Sequence, residues 1–227
     1  MSSEIAERLA SVNDRIAAAA LRSGRRPNDV RLVAVSKTQP PEAILEALEA
    51  GATELGENRA QELKQKFAVL GTPAVWHFVG HLQTNKARHV VGIADLIHSV
   101  DRYGVAEAIA TQAHFLHRRQ EVLLEVNVSG EASKHGVEPA RLPALAREVS
   151  SLGAISVVGL MAMAPRSSDP EDSRPFFADL RELGEELRTV FPLAHHLSMG
   201  MTQDFEIAIE EGATIVRVGE AIFGPRN

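Results

Sequence analysis

The chain alternates short apolar segments with longer amphipathic ones, and this alternation restricts the fold more than any other feature of the sequence. Eight apolar segments have the length and composition of strands, at 31–36, 53–55, 74–79, 96–100, 121–128, 155–161, 195–198 and 214–219. Helical patterns separate them, and this order is typical of parallel strands joined by helices. Eight such units in 227 residues predict a closed (β/α)8 barrel. An open, doubly wound parallel sheet is the alternative.

The segments between the strands have the spacing and the end signals of helices. An Ala-rich amphipathic helix is predicted at 4–21, before the first strand. In the next helix Ile44, Leu45 and Leu48 are expected to face the core, and Asp101 is expected to cap the helix after the fourth strand. We predict eight helices in all and none after the eighth strand, so the first helix would fill that place in the outer ring.

Composition excludes several classes of function. The absence of cysteine excludes disulfides, thiolate catalysis and Cys-ligated metal or iron–sulfur sites. The net charge of −6 opposes sequence-independent binding of nucleic acid. The sequence shows neither a secretory signal nor an apolar run long enough to span a membrane. We therefore expect residues 1–227 to form one cytoplasmic barrel domain with no nucleic-acid or membrane partner.

Two features at the predicted strand ends suggest chemistry, because the active site of such a barrel lies at the C-terminal ends of its strands. Lys37 follows an apolar strand, where desolvation lowers the pKa of an amine and favours Schiff-base chemistry. The loops SMGMT (198–202) and VGEAIFG (218–224) expose backbone N–H groups through small residues and suit a phosphate. Both an aldolase acting on a phosphosugar and a protein holding pyridoxal 5′-phosphate (PLP) would need this pair.

Seven collinear segments resemble the YggS/PROSC family of pyridoxal phosphate homeostasis proteins, which are related to the N-terminal barrel of alanine racemase (fold type III of PLP proteins). They are VAVSKTQP, GENRAQE, WHFVGHLQTNK, NVSGEASKHG, GLMAMAP, SMGMTQDFEIAI and VRVGEAIFG. The resemblance implies a monomer that holds PLP as an aldimine of Lys37 and takes part in intracellular vitamin B6 homeostasis. It would deliver PLP to apo-enzymes and have little or no catalytic activity of its own.

The resemblance also implies roles for individual residues. Asn58 would lie beside the ring, while Ser198, Gly200 and Gly219 would help to bind the phosphate. Arg217 would face the pyridine nitrogen, and a guanidinium there leaves that nitrogen unprotonated and weakens the ring as an electron sink. The full predicted cofactor-binding set is Lys37, Asn58, His81, Ser198, Met199, Gly200, Arg217, Gly219 and Glu220. Glu220 stands where the family commonly has Thr, so its backbone N–H is expected to contact the phosphate.

Some alternatives stay open at this stage. A slow PLP-dependent amino-acid racemase would have Lys37 as its only evident base, without the tyrosine that alanine racemase takes from a second domain, which this sequence is expected to lack. The phosphosugar aldolase remains a further alternative. Lys134 and His135 are either surface charges or a second polar group over the barrel mouth. His77 and His81 stand four residues apart, but we predict no metal site.

Overall fold

The strands of the computed structural model, which describes residues 3–71, 74–131 and 134–225, form a closed parallel barrel. Each strand pairs with the next in the chain, and β8 closes the barrel by pairing with β1. The (β/α)8 prediction is therefore confirmed. The strands are β1 Arg31–Val35, β2 Glu54–Glu57, β3 Val75–Phe78, β4 Leu96–Val100, β5 Gln120–Glu125, β6 Ile155–Met161, β7 His196–Ser198 and β8 Ile215–Val218.

Nine α-helices occur in the described parts of the chain, one more than predicted. They are α1 Glu4–Arg22, α2 Pro41–Glu49, α3 Ala60–Leu70, α4 Ala87–Val90, α5 Tyr103–Phe115, α6 Leu142–Ser150, α7 Arg174–Val190, α8 Phe205–Glu210 and α9 Glu220–Phe223. None of the described helices is both long and apolar enough to cross a membrane.

The additional helix follows β8, so the prediction that no helix stands there is wrong. Helix α9 is a single turn between Gly219 and Gly224, too short to show the helical spacing on which the prediction depended. Helix α1 still packs where expected, against α2, α8 and α9, and so closes the outer ring between the last unit and the first. Ser3 caps α1 by accepting a hydrogen bond from the N–H of Ala6.

Two local expectations about helices are also wrong. Arg102, not Asp101, is the N-cap of α5, and the Asp101 carboxylate accepts a 2.7 Å hydrogen bond from Arg102 Nη1 instead. In α2, Leu45 is 44% exposed, while Ile44 and Ala47 are buried. Adjacent side chains on a helix point about 100° apart, so the residue next to Ile44 lies at the side of the face that packs on the core.

The alternation of side chains along the strands separates two regions of core. The larger lies between the barrel and the helices and includes Trp76, Phe78 and Ile97. The smaller is an apolar cluster inside the barrel, formed by Val33, Val35, Leu96, Leu123, Val158, Met161 and Ile215. Because strand side chains alternate between faces, His77, His98 and Arg217 belong to the interior face. The barrel interior therefore contains a buried polar region beside its apolar cluster.

Candidate functional site

A line of four buried polar side chains and the half-buried Glu54 crosses the barrel interior and ends at Arg217. Arg217 Nη1 donates to Ser198 Oγ at 2.6 Å, and Ser198 Oγ lies 2.9 Å from His98 Nδ1. His98 Nε2 lies 2.8 Å from His77 Nδ1, and His77 Nε2 lies 3.0 Å from Glu54 Oε2. The last contact is close but poorly aligned for a hydrogen bond. We call these five residues the interior relay.

Arg217 fixes the direction of the first contact in the interior relay. It can only donate, so the Ser198 hydroxyl accepts from it. At the contacts of His98 with Ser198 and with His77, the donor depends on the tautomers of the two imidazoles. Burial, helped by His77 and Arg217, lowers the pKa of His98 well below its ordinary value and keeps it neutral.

Arg217 is a fixed cation at the centre of the site. Its Nη2 donates to the carbonyl of Ala162 at 3.1 Å, so two anchors set the plane of the guanidinium. Burial lowers its pKa to about 10, against the attraction of Glu125 and Asp204, and it stays protonated at neutral pH. The family resemblance pointed to Arg217 as a site residue, and the structure brings it together with Ser198.

Glu125, which the sequence analysis missed, is an uncompensated carboxyl inside the barrel. It ends β5, is 3% exposed, and its Oε2 has no hydrogen-bond partner in the described ranges. Burial raises its pKa to about 7; nearby Asp101 adds to the rise, and Arg217 opposes it. Such a group changes protonation near neutral pH. The available signal was a carboxylate interrupting the apolar segment VLLEVNV.

The backbone on both sides of Lys37 is held by a second buried network. Lys66, only 6% exposed on α3, donates to the Ser36 carbonyl at 2.6 Å and to Glu57 Oε1 at 2.7 Å. It also donates to Glu62 Oε1 at 2.8 Å, and the same oxygen accepts the N–H of Thr38 at 2.6 Å. The residues before and after Lys37 are therefore both tied to Lys66.

This second network includes a strained backbone residue and a buried carboxylate, both of which are common at functional loops. Thr38 has a φ of +66°, a left-handed conformation that costs a β-branched residue about 1–3 kcal/mol. Burial also raises the pKa of Glu57, although Lys66 and Ser36 both bind its carboxylate. Lys37 itself is half-buried at the end of β1. The structure thus fixes the strand end from which the predicted Schiff-base lysine projects.

The loops after β7 and β8 lie side by side, as adjacent strands require. The N–H of Arg217 donates to the Gly200 carbonyl at 3.0 Å, and Asp204 holds the first loop by accepting the N–H of Met201 at 2.7 Å. Gly200 has a φ of +89°, and a Cβ there would lie 2.5 Å from the Cβ of Ala208. Only glycine fits this close approach of the loop to α8.

The remaining predicted site residues differ in their surroundings. Met199 is buried and donates its N–H to Ile215, while the side chain of Glu220 is exposed at the start of α9. The Ser198 hydroxyl is engaged by the interior relay, so its predicted contact with phosphate stays a prediction. Asn58 is half-buried, and its carbonyl would lie 2.1 Å from a Cβ at Gly80.

His81 lies at the mouth after β3 in surroundings that its prediction did not anticipate. Its ring stacks on that of His135, with 3.8 Å between centroids and 14° between planes. Its Nδ1 is 3.8 Å from Asp101 Oδ2. Of the two interpretations left open for His135, a polar group over the mouth is the one this geometry supports.

Comparisons with known proteins agree with this architecture. Residues 9–227 match the family described as alanine racemase, N-terminal domain. A pyridoxal phosphate homeostasis protein from Aquifex aeolicus (strain VF5) is 48% identical over 223 residues, which are 97% of this chain and 98% of that protein.

Solved structures show the same relationship. The structure of PipY from Synechococcus elongatus PCC7942 with PLP bound has a TM-score of 0.84 and 40% identity, over 97% of this chain and all of PipY. Histidine racemase from Leuconostoc mesenteroides subsp. sake, at 20% identity and a TM-score of 0.73, shares the fold over 99% of this chain and 58% of its own. The chain therefore belongs to the alanine racemase N-terminal domain family and, within it, to the pyridoxal phosphate homeostasis proteins.

Proposed function

We propose that this chain binds PLP at the C-terminal mouth of the barrel, as a Schiff base with Lys37, and serves as a carrier in intracellular PLP homeostasis. The observation that carries the proposal is the fixed, buried Arg217 beside two loops in which four backbone N–H groups have no partner among the described residues. The protein would work in the cytoplasm as a monomer and pass the cofactor to apo-enzymes. The similarity of this chain to its relatives, among them PipY, whose structure has PLP bound, supports this proposal.

The two loops fit a phosphate dianion. Within the described ranges, the backbone N–H groups of Gly200 and Thr202 after β7, and of Glu220 and Ala221 after β8, donate to no other residue. Buried or half-buried N–H groups without partners need an acceptor, and a phosphate offers several strong ones. The exposed side chain of Glu220 does not compete for this place, so its backbone N–H can make the contact.

The position of Lys37 fits the same ligand. Strand β1 pairs with β8, and a Cβ on Gly219 would lie only 3.0 Å from the Val35 carbonyl, two residues before Lys37. The amine therefore projects from the strand next to the phosphate loops. The Lys66 network would hold its strand end while the nitrogen adds to the aldehyde carbon and water leaves.

Arg217 favours holding the cofactor over using it. PLP supplies an aldehyde that condenses with amines and a ring that withdraws electrons, most strongly when its nitrogen is protonated. Arg217 can only donate a hydrogen bond and stays protonated, so it keeps that nitrogen as an acceptor. Ser198 and Ala162 keep the guanidinium in place.

A second candidate function, a slow amino-acid racemase, is favoured by one specific observation. Glu125 is buried in the barrel, its pKa is raised to about 7 against the attraction of Arg217, and it could exchange a proton there. Lys37 would then not be the only base. Deuterium exchange at the α-carbon of amino acids in heavy water tests this function; a rate no higher than that of free PLP in wild type, and no change in Glu125→Gln, would exclude it.

The Schiff base is tested by spectroscopy of the purified protein with added PLP. We expect a visible imine absorbance that borohydride abolishes, with the label on the peptide containing Lys37. Lys37→Ala should lose the band, while Lys64→Ala, at an exposed lysine of α3, should keep it. A Lys37→Ala variant with an unchanged band would overturn the assignment. Reactivation of a PLP-free enzyme faster than by an equal concentration of free PLP would support direct delivery.

A further inference from the structure

Three loops at the barrel mouth bring two imidazoles and a carboxylate together. His81 follows β3, Asp101 follows β4, and His135 lies in the segment after β5. One ligand atom from each lies within 4.8 Å of the others. Residues so far apart in the chain do not meet by helical or strand spacing, so the cluster is a product of the tertiary fold.

The nitrogens of this cluster are available to a ligand. Neither imidazole makes a hydrogen bond with any other residue in the ranges 3–71, 74–131 and 134–225. The rings stack at 3.8 Å, an arrangement that two charged imidazolium ions would oppose. The stack holds the ligand nitrogens in two nearly parallel planes, so the rings must turn until both planes meet at one ion before they can bind it together.

The carboxylate is already oriented toward the imidazoles. Arg102 Nη1 donates to Asp101 Oδ1 at 2.7 Å, while Oδ2 lies on the side of His81, 3.8 Å from its Nδ1. The Asp101 side chain is 10% exposed, so it has little freedom to turn away. Such an outer hydrogen bond is how proteins usually fix the ligating oxygen of a metal site.

We propose that His81, Asp101 and His135 bind a divalent transition-metal ion, with Zn²⁺ as the best match. Two imidazoles and one carboxylate suit Zn²⁺ and leave its fourth position open, whereas Mg²⁺ and Ca²⁺ prefer all-oxygen sites. Ligand atoms around a tetrahedral Zn²⁺ with bonds of 2.0–2.1 Å are about 3.4 Å apart. The present ligand atoms lie within 4.8 Å of one another, and the two exposed imidazoles reach the shorter spacing by turning out of their stack.

Binding would tie together the loops that follow β3, β4 and β5. In the closed barrel β4 lies across from β8, so the metal would stand on the opposite side of the mouth from the proposed phosphate loops. The site therefore uses none of the residues that would hold the phosphate. It does include His81, to which the sequence analysis assigned a role in binding the cofactor.

The test is competition for Zn²⁺ between untagged, chelator-treated protein and a chromophoric chelator, with and without added PLP. We expect one Zn²⁺ per chain, affinity at least about tenfold weaker in His135→Ala and in Asp101→Asn, and no competition from Mg²⁺. His195→Ala is the matched control, because it removes an exposed histidine from another pair of neighbouring imidazoles, His195 and His196, whose rings are tilted by 49°. Co²⁺ should give the visible bands of a tetrahedral site in wild type and not in His135→Ala.

Three results would overturn the proposal. They are no saturable Zn²⁺ binding, equal binding in wild type and His135→Ala, or an equal loss in His195→Ala. Binding that appears only with PLP and survives in His135→Ala would assign the ion to the cofactor phosphate. His135 is exposed in a loop, so its replacement does not threaten folding. Failure of the Lys37 band with intact Zn²⁺ binding would refute the proposed function alone.

Discussion

Replacing Glu125 with Gln should make the protein more stable at alkaline pH and leave it nearly unchanged in acid. The carboxyl is 3% exposed and has no hydrogen-bond partner for Oε2 within the described ranges. Burial raises its pKa from the ordinary 4.5 to about 7, because ionisation there leaves a charge without solvent. Gln has nearly the same shape and never ionises.

The sign and size of this pH-dependent difference in stability follow from proton linkage. Between pH 4.5 and 7 the folded state holds a proton on Glu125 that the unfolded state has lost, so folding stability falls as the pH rises through this window. The pKa difference corresponds to about 3.4 kcal/mol in all, of which about 2.5 kcal/mol falls between pH 5 and pH 8. The advantage of Glu125→Gln over wild type should grow by that amount.

Urea unfolding of the cofactor-free protein at pH 5, 6, 7 and 8 measures this difference. Other titrating groups, Glu57 among them, contribute equally to both proteins and cancel. Glu121→Gln is the matched control, because Glu121 lies exposed on the same strand and should give a difference independent of pH. A Glu125→Gln advantage that stays constant from pH 5 to pH 8 would refute the reasoning.

Two further predictions concern the packing around the predicted Schiff-base lysine and Asn58. Lys66→Met should destabilise the protein by about 3 kcal/mol in urea unfolding, since it leaves a buried Glu57 carboxylate unpaired; adding Glu57→Gln should restore most of the loss, and an additive double variant would contradict the pairing. Gly80→Ala should destabilise the protein and weaken PLP uptake, because its Cβ would lie 2.1 Å from the Asn58 carbonyl. Gly104→Ala, with nothing within 4 Å, should be neutral or stabilise α5 by up to about 1 kcal/mol; equal effects of the two glycine variants would contradict this account.

The barrel could be predicted because strand and helix periods repeat eight times, and every predicted strand is found at or near its expected place. The predicted ends of the strands were less accurate where hydrogen bonds of a side chain turn the backbone and end the strand. Strand β5 ends at Glu125 and not at Val128, since Asn127 Oδ1 accepts hydrogen bonds from Ser129 Oγ and the Gly130 N–H and turns the chain. The spacing of apolar residues in the sequence does not reveal such a local turn.

The candidate site could be predicted only in part. Lys37 was identifiable from its place after a strand, and Arg217 only from the family resemblance. The interior relay was missed because His77 was considered only together with His81, and His98, within the fourth apolar segment, was not considered. Reading every second residue would have placed both on the barrel's inner face. Which of the two meets Ser198 depends on the register of the closed barrel and cannot be read from the chain.

The arrangement of the interior relay favours a functional over a purely structural reading. Burying Ser198, His98, His77 and Arg217 where a barrel usually packs aliphatic side chains has a desolvation cost that hydrogen bonds only offset. At one end the relay meets the half-buried Glu54, which Arg31 also holds at 2.8 Å. At the other end it anchors a guanidinium near the mouth of the barrel. A preorganised cation costs no reorientation when a ligand arrives, and the proposed contact of Arg217 with the pyridine nitrogen would require a guanidinium held this firmly.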